Sequence, residues 1–146
     1  GVQTCALPIL DKLGYNTLFH KIRQKPGKPL YFGKKPNKAA FGLPGNPRSV
    51  MICFYEYVYP YLRLLMGATR PELQSITLPL ANDYTRKDDG KVHFLAAAIS
   101  NNTVKLLDKQ ASHMLQTLAV ADGLVILHED ELTKRKGDQV KMHLFP

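Results

Sequence analysis

The feature that most constrains the fold is the sequence Gly42-Leu43-Pro44-Gly45-Asn46-Pro47, which stands shortly before a long apolar segment, residues 50–66. Asparagine is a preferred N-cap residue and proline is favoured at the first helical position, so Asn46 and Pro47 predict the start of a helix. The apolar segment is rich in β-branched and aromatic residues, but its length and its capping favour a helix over a strand. We expect this helix to be kinked at Pro60, and to be buried either on several sides or in a subunit interface.

Three short strands are predicted before this helix, at residues 18–24, 30–33 and 39–41. Proline and glycine interrupt regular structure, so the intervening Lys25-Pro26-Gly27-Lys28-Pro29 is predicted to be a loop, and residues 34–38 a polar turn. Short strands that lead through a glycine-rich turn into a long helix are typical of an α/β domain.

A different pattern begins after residues 68–73, which we predict to be a linker. Turn sequences such as Asp88-Asp89-Gly90 and Asp122-Gly123 separate short segments, and this is typical of a small β-barrel or β-sandwich. The predicted strands cover residues 75–81, 91–98, 103–107, 124–127 and 139–145, and Ser112 is predicted to cap a short helix that ends at Ala121. Residues 1–9 have no initiator Met and match no element start, and we set them aside as foreign sequence.

The positive charge is concentrated in one part of the chain. The net charge is +8, from 20 Lys and Arg against 12 Asp and Glu. Residues 12–55 contain nine of these bases and no acid, so the rest of the chain is near neutral. A focused positive field attracts anions. A solvated basic face is the more common meaning of a run of charge, but these lysines are interleaved with Pro-Gly turns and precede a helix start, which favours a binding site.

Two loops carry the residues suited to such a site. A glycine-rich turn before a helix is a recurring anion site, because the first backbone N–H groups and the helix dipole both favour negative charge. Lys25 and Lys28 stand three residues apart across a Pro-Gly turn, which can hold both ammonium groups near one ligand. Ser49 lies in the first helical turn, where its hydroxyl donates either to an oxyanion or to its own backbone. The pattern is not a P-loop and does not identify the anion.

Several classes of function are disfavoured. Residues 12–55 contain no carboxylate to bind a metal or act as a base, so we expect the acidic part of any site to come from missing sequence or another subunit. The five His show no metal-ligand spacing, and Cys53 fits a small buried hydrophobe. No segment approaches the roughly 18 apolar residues of a membrane span, and no cleavable signal is visible, so we expect a cytoplasmic protein.

The two loop motifs and their spacing resemble one family. Lys25-Pro26-Gly27-Lys28-Pro29, a short hairpin, and then Gly42-Leu43-Pro44-Gly45-Asn46-Pro47-Arg48-Ser49 before an apolar helix are similar to the molybdopterin molybdenumtransferases, MoeA and the E domain of gephyrin. Arg86, Asp89-Gly90, Ser112 and Ala121-Asp122-Gly123 also stand in familiar positions, although family members more often have Asn where Asp122 stands. The resemblance covers roughly residues 12–146, and about the last third of a family member.

The resemblance implies a fold and a reaction. Residues 10–67 are expected to be the C-terminal part of a doubly wound α/β molybdopterin-binding domain, and residues 74–146 a C-terminal barrel-like domain. Family enzymes insert molybdate into adenylylated molybdopterin, use Mg²⁺, release AMP and act as homodimers. The resemblance assigns two residues to catalysis and six to substrate binding: Lys25 and Lys28, and Arg23, Pro44, Gly45, Asn46, Pro47 and Ser49.

The same resemblance implies an incomplete site. The acidic residues of the family, its glycine-rich substrate loop and the partner domain that covers the site all lie upstream of the part that this chain matches. We therefore expect the chain to be inactive alone, with small anionic substrates as its ligands and no membrane as a partner.

Two other functions stay open. The first is a basic module that binds anions or nucleic acid through an OB-like barrel surface, although the near-neutral charge of the barrel half makes nucleic acid a poor partner. A steep salt dependence of oligonucleotide binding, without a response to molybdate, would favour this function. The second is a family member that serves as a non-catalytic scaffold.

Overall fold

The computed structural model describes residues 2–107 and 116–146, with side chains from residue 7 onward in these ranges. The first part of the chain contains one helix and four short strands: α1 (Val2–Lys12), β1 (Asn16–His20), β2 (Gln24–Lys25), β3 (Tyr31–Lys35) and β4 (Lys38–Gly42). Strands β1, β3 and β4 form an antiparallel sheet in that order. The ring of Phe32 packs between those of Phe19 and Phe41, with centroids 5.6 and 4.6 Å away, so aromatic contacts hold the sheet together.

Two expectations for this part were wrong. No element was expected before residue 10, whereas Val2–Lys12 forms a helix. The strand expected over residues 18–24 is broken at Lys21, which has a φ of 62°. The chain turns there, because the N–H groups of Lys21 and Ile22 donate to the carbonyls of Leu30 (3.1 Å) and Lys28 (3.0 Å). A positive φ is uncommon for a lysine, and the sequence carries no local signal for it.

The long helix is present, but it contains a π-helical turn. It consists of α2 (Pro47–Cys53), a π-helix (Phe54–Val58) and α3 (Tyr59–Leu65). The predicted start is confirmed, since Asn46 Oδ1 accepts hydrogen bonds from the N–H groups of Arg48 (3.2 Å) and Ser49 (3.5 Å). Pro60 has no N–H to offer to the carbonyl four residues before it. The wider turn therefore lies directly before the proline, where an α-helical hydrogen bond is lost.

The second part of the chain closes into a small barrel, as the sequence predicts. It contains β5 (Ser75–Pro79), β6 (Tyr84–Thr85), β7 (Val92–Ser100), β8 (Thr103–Leu106), α4 (Gln116–Ala119), β9 (Gly123–Leu127), β10 (Thr133–Lys134) and β11 (Gln139–Leu144). Antiparallel pairing runs in the order β8-β7-β9-β11-β5, and a bridge between Leu80 and Val104 closes the ring from the end of β5 to β8. Ser112, the expected cap of the short helix, lies outside the described residues.

Successive side chains of β7 point to opposite faces of the sheet, and they therefore belong to two different apolar cores. Leu95 and Ala97 belong to the core inside the barrel. Phe94 and Ala96 belong to a second core, outside the barrel, which includes Ile52 of α2. Ile52 and Ala96 are fully buried, and burying an isoleucine side chain stabilises the fold by roughly 1.5–3 kcal/mol. The helix thus covers one wall of the barrel.

Strand pairing and a polar contact also join the two parts. Strand β2 pairs in parallel with β7, so that Lys25 stands opposite His93. On the helix, the carboxylate of Glu56 lies 2.9 and 3.1 Å from Nδ1 of His143 in β11. These contacts place the loop that follows β2 against the rim of the barrel. None of the helices in the described ranges is long and apolar enough to cross a membrane.

Candidate anion-binding cleft

A cleft of about 1020 Å³ lies between the lysine loop, residues 25–29, and the rim of the barrel. Its walls come from the lysine loop, the start of α2 and the barrel rim: Gln24, Lys25, Pro26, Gly27, Lys28, Pro29, Arg48, Ser49, Tyr84, Arg86, Lys87, Asp88, Asp89, Lys91, His93, Phe94 and Leu95. The two motifs that stand apart in the sequence therefore meet in one cavity, and they meet there with residues of the second half of the chain.

The lysine loop is held by buried polar contacts beneath it. Gln24 is 3% exposed, and its Nε2 donates to the Pro26 carbonyl at 2.9 Å. The Tyr57 hydroxyl donates to Gln24 Oε1 from the π-helix. Gly27 has a φ of 98°, and a Cβ there would lie 2.5 Å from both Cys53 Sγ and Gln24 Nε2. Only glycine fits this position without strain, so the close approach of loop and helix fixes where the two lysines emerge.

Burial also changes the chemistry of the helix beneath the loop. It raises the pKa of Cys53 to about 12, with a smaller opposing effect from the hydrogen bond with Gln24 and a small raising effect from Glu56. Burial likewise raises the pKa of the Tyr57 hydroxyl. Both groups are therefore neutral near pH 7. Cys53 is the small buried hydrophobe that the sequence predicts, and it lies outside the cleft lining.

The start of α2 brings a buried cation to the cleft. Arg48 is 1% exposed and Ser49 is 4% exposed, and both line the cavity. Burial lowers the pKa of Arg48 from the usual arginine value. Arginine stays protonated in proteins even so, because its unperturbed pKa is above 12. A buried, permanently charged group in a cavity wall favours an anionic occupant.

The barrel rim contributes a carboxylate that sits among cations. Asp89 Oδ2 lies 3.7 Å from Nζ of both Lys25 and Lys91. Asp89 Oδ1 accepts from Arg86 at 3.3 Å and lies 3.0 Å from His93 Nε2. The basic segment thus meets a carboxylate of its own chain, contrary to the expectation that any such group would come from missing sequence or another subunit.

The surroundings of Asp89 and His93 shift the pKa of both side chains, and these shifts determine which of them is charged. Burial raises the pKa of Asp89, but the hydrogen bond from His93 and the charges of His93, Lys91 and Lys25 outweigh it, and the pKa lies below its usual value. Burial lowers the pKa of His93, and the nearby cations lower it further, which outweighs the effect of Asp89. At neutral pH the cluster therefore contains an ionised carboxylate and a neutral imidazole, whose Nε2–H donates to it.

Arg86 has a structural part in the same cluster. Its side chain is 4% exposed, and it donates to the carbonyls of His128 (2.6 Å), Glu129 (3.1 Å) and Glu131 (3.2 Å). Those carbonyls belong to the turn after β9. Arg86 therefore ties that turn to Asp89 and fixes the carboxylate on the barrel side of the cleft.

The predicted site residues divide into two groups. Lys25, Lys28 and Ser49 line the cleft together. The other five lie outside its lining. Arg23 points to solvent, with its side chain 80% exposed and 4.0 Å from Glu129, and Asn46 caps α2. Pro44 is buried, while Gly45 and Pro47 are exposed. The substrate-binding role assigned to these five stays a prediction.

Four residues that line the cleft were not predicted as site residues. Arg48 and Asp89 were noted only within sequence motifs, and Lys91 and His93 were not singled out. Asp89 and Lys25 are 64 positions apart and meet only because β2 pairs with β7. The turn signal Asp88-Asp89-Gly90 marks the loop, but nothing local in the sequence indicates its lysine partner.

Comparison with known proteins agrees with this geometry. Residues 2–64 match a family model described as a probable molybdopterin binding domain, and residues 77–145 match the MoeA C-terminal region, domain IV. The first match includes residues 2–9. The boundary between the two matches falls where the chain passes from the helix to the barrel.

Individual relatives are similar over most of this chain. A molybdopterin molybdenumtransferase of Haemophilus influenzae is 30% identical over 94% of this chain and 35% of the relative. The molybdenum cofactor synthesis protein cinnamon of Drosophila melanogaster is 30% identical over 82% of this chain and 20% of the relative. The crystal structure of the molybdopterin biosynthesis moeA protein of Pyrococcus horikoshii matches with a TM-score of 0.76 and 27% identity, over 89% of this chain and 33% of that one.

The order of the two parts, a lysine loop and capped helix followed by a barrel, is the order of the two matched domains, a probable molybdopterin binding domain and MoeA domain IV. Together the two family models cover most of the chain, which matches the C-terminal region of the molybdopterin molybdenumtransferases, MoeA and gephyrin. It spans about a third of the length of the first curated relative that it matches.

Proposed function

We propose that the chain forms the anion-binding half of a site that inserts molybdate into adenylylated molybdopterin and releases AMP. The observation that carries this proposal is the convergence of Lys25, Lys28 and the buried Arg48 on one cleft, in a chain that matches this family. Both substrates are anions. A cleft that concentrates positive charge from two parts of the chain fits them.

The position of each of these residues indicates its proposed role in binding the anionic substrates. Lys25 and Lys28 are exposed at the cleft mouth, so their ammonium groups are free to turn towards phosphate or molybdate oxygens. Ser49 lies in the first turn of α2 and offers a hydroxyl to an oxyanion. Negative charge grows on the leaving AMP as its bond breaks, and fixed cations nearby stabilise that charge.

Magnesium does not fit the described residues. Within residues 2–107 and 116–146 no group of three or more His, Cys, Asp or Glu is placed to hold a metal ion. Asp89 already lies among three cations, and a further cation there would be repelled. We propose that the ligands of Mg²⁺ lie outside these residues.

We also propose that this chain contains only part of the complete site. Because the chain spans about a third of the Haemophilus influenzae relative, we propose that it binds the anionic substrates but does not complete the reaction alone. A homodimer and a cytoplasmic location follow from the resemblance and stay predictions.

The test uses the protein encoded by the complete reading frame that contains these residues. We expect Lys28→Ala to lower molybdenum insertion by at least about 100-fold, because it removes a charge that stabilises the anionic substrate and transition state. Insertion is measured as molybdenum bound to molybdopterin after incubation with molybdate and the adenylylated substrate. Lys38→Ala is the matched control, since Lys38 is also exposed but lies in the hairpin outside the cleft. Normal insertion by the Lys28 variant would overturn the assignment.

A further inference from the structure

Two lysines of the cleft converge on a carboxylate of the same chain, that of Asp89. Asp89 Oδ2 lies 3.7 Å from the ammonium groups of both Lys25 and Lys91, one from each part of the chain. A ligand oxygen that reached both lysines together would need nearly the same position. The carboxylate therefore stands where a small anion would bind.

The carboxylate is held more firmly than the lysines that it contacts. It is fixed by Arg86 and His93, whose side chains are 4% and 7% exposed. The side chain of Lys25 is 62% exposed and that of Lys91 is 31% exposed. Exposed ion pairs of this kind contribute little stability, so the lysines can turn to a ligand while Asp89 stays in place.

We propose that Asp89 is a specificity-determining residue, which makes the cleft select ligands with two linked phosphates over a single phosphate. A single phosphate that reaches Lys25 and Lys91 lies close to Asp89, and repulsion offsets much of the attraction. A diphosphate can extend to Lys28, which lines the same cleft and takes no part in the described ion pairs of Asp89. The inference rests on the proposed function, because it takes Lys28 as an anion-binding residue.

The test is calorimetric binding of inorganic phosphate and of pyrophosphate to the 146-residue chain. In the native chain we expect pyrophosphate to bind more tightly than phosphate. Removing a charge about 6 Å from the ligand in Asp89→Asn should strengthen phosphate binding about tenfold and pyrophosphate binding roughly threefold, so the ratio of the two affinities falls. Asp89→Glu keeps the charge and should keep the ratio close to that of the native chain.

Asp130→Asn is the matched control. It removes the same charge from an exposed residue of the barrel that does not line the cleft. We expect this variant to leave the affinity ratio nearly unchanged. An unchanged ratio in Asp89→Asn, or an equal change in Asp130→Asn, would overturn the inference.

Lys28→Ala separates this inference from the proposed function. If Lys28→Ala weakens pyrophosphate binding while Asp89→Asn leaves the ratio unchanged, only the role of Asp89 is wrong. If Lys28→Ala has no effect on pyrophosphate binding, or if the native chain binds neither anion, the proposed anion site fails and the inference fails with it.

Discussion

The barrel and the lysine loop are held in different ways. The barrel is a closed ring of paired strands around an apolar core, and its fully buried residues include Ala97, Val104 and Val125. The lysine loop has no such core and depends on Gln24, Gly27 and the helix beneath it. The region that carries Lys25 and Lys28 is thus the one with little apolar support. A substitution in the barrel should cost stability, whereas one in the loop should mainly cost binding.

The largest expected effect is in the barrel, at Gly123. A Cβ at this position would lie 2.0 Å from the backbone oxygen of His143 in the paired strand, and backbone cannot move aside as a side chain can. We expect Gly123→Ala to lower the free energy of unfolding by about 4 kcal/mol or more, enough to prevent folding of a marginally stable chain. Thermal unfolding followed by circular dichroism measures this.

Gly45→Ala is the control for this change, because nothing lies within 4 Å of the Cβ that it adds. Its unfolding temperature should stay within a few degrees of that of the native chain. A Gly123→Ala variant that unfolds at the same temperature as the control would mean that β9 and β11 are not paired as described.

Gly27→Ala should have an intermediate effect on stability and a strong effect on binding. The positive φ and the contacts with Cys53 and Gln24 are expected to cost about 1–3 kcal/mol, partly relieved by movement of those side chains. Such movement shifts Lys25 and Lys28, so pyrophosphate affinity should fall at least about tenfold at a temperature where the variant is folded. Unchanged affinity in the folded variant would contradict the view that this glycine positions the lysines.

The smallest expected effect is the dependence of stability on pH at His93. Its pKa in the folded chain lies below the usual 6.5, so as pH falls below about 6.5 the unfolded chain takes up a proton before the folded chain does. Stability should therefore decrease as pH falls through that range, with the contribution fully present above it. His93→Gln should remove part of this decrease between pH 7 and 5, measured as the change of unfolding temperature with pH. An identical pH dependence in the variant would argue against a neutral, buried His93.

Local signals in the sequence were sufficient for much of the fold. The N-cap at Asn46 and turn sequences such as Asp88-Asp89-Gly90 are short-range patterns, and both the helix start and the barrel strands lie close to where they were predicted. The turn at Lys21 was not predictable, because its positive φ is imposed by hydrogen bonds to residues 28 and 30. Tertiary contacts override local preference in such cases.

The site was predictable only in part for a similar reason. Counting charges located the lysines of residues 12–55, and the motif indicated that Lys25 and Lys28 act together. Neither could reveal Asp89, because its place beside Lys25 depends on the parallel pairing of a two-residue strand with β7. An ion pair between distant segments is a property of the fold, and the sequence alone carries no periodic signal for it.

The central claim is that the two parts of the chain together form one anion-binding cleft. A crystal structure of the 146-residue chain with pyrophosphate tests it most directly. We predict a diphosphate in the cleft, with oxygens within hydrogen-bond distance of Lys28 on the loop side and of Lys91 on the barrel side. A diphosphate bound instead to the hairpin lysines Lys34 and Lys38, with the cleft empty, would contradict the claim.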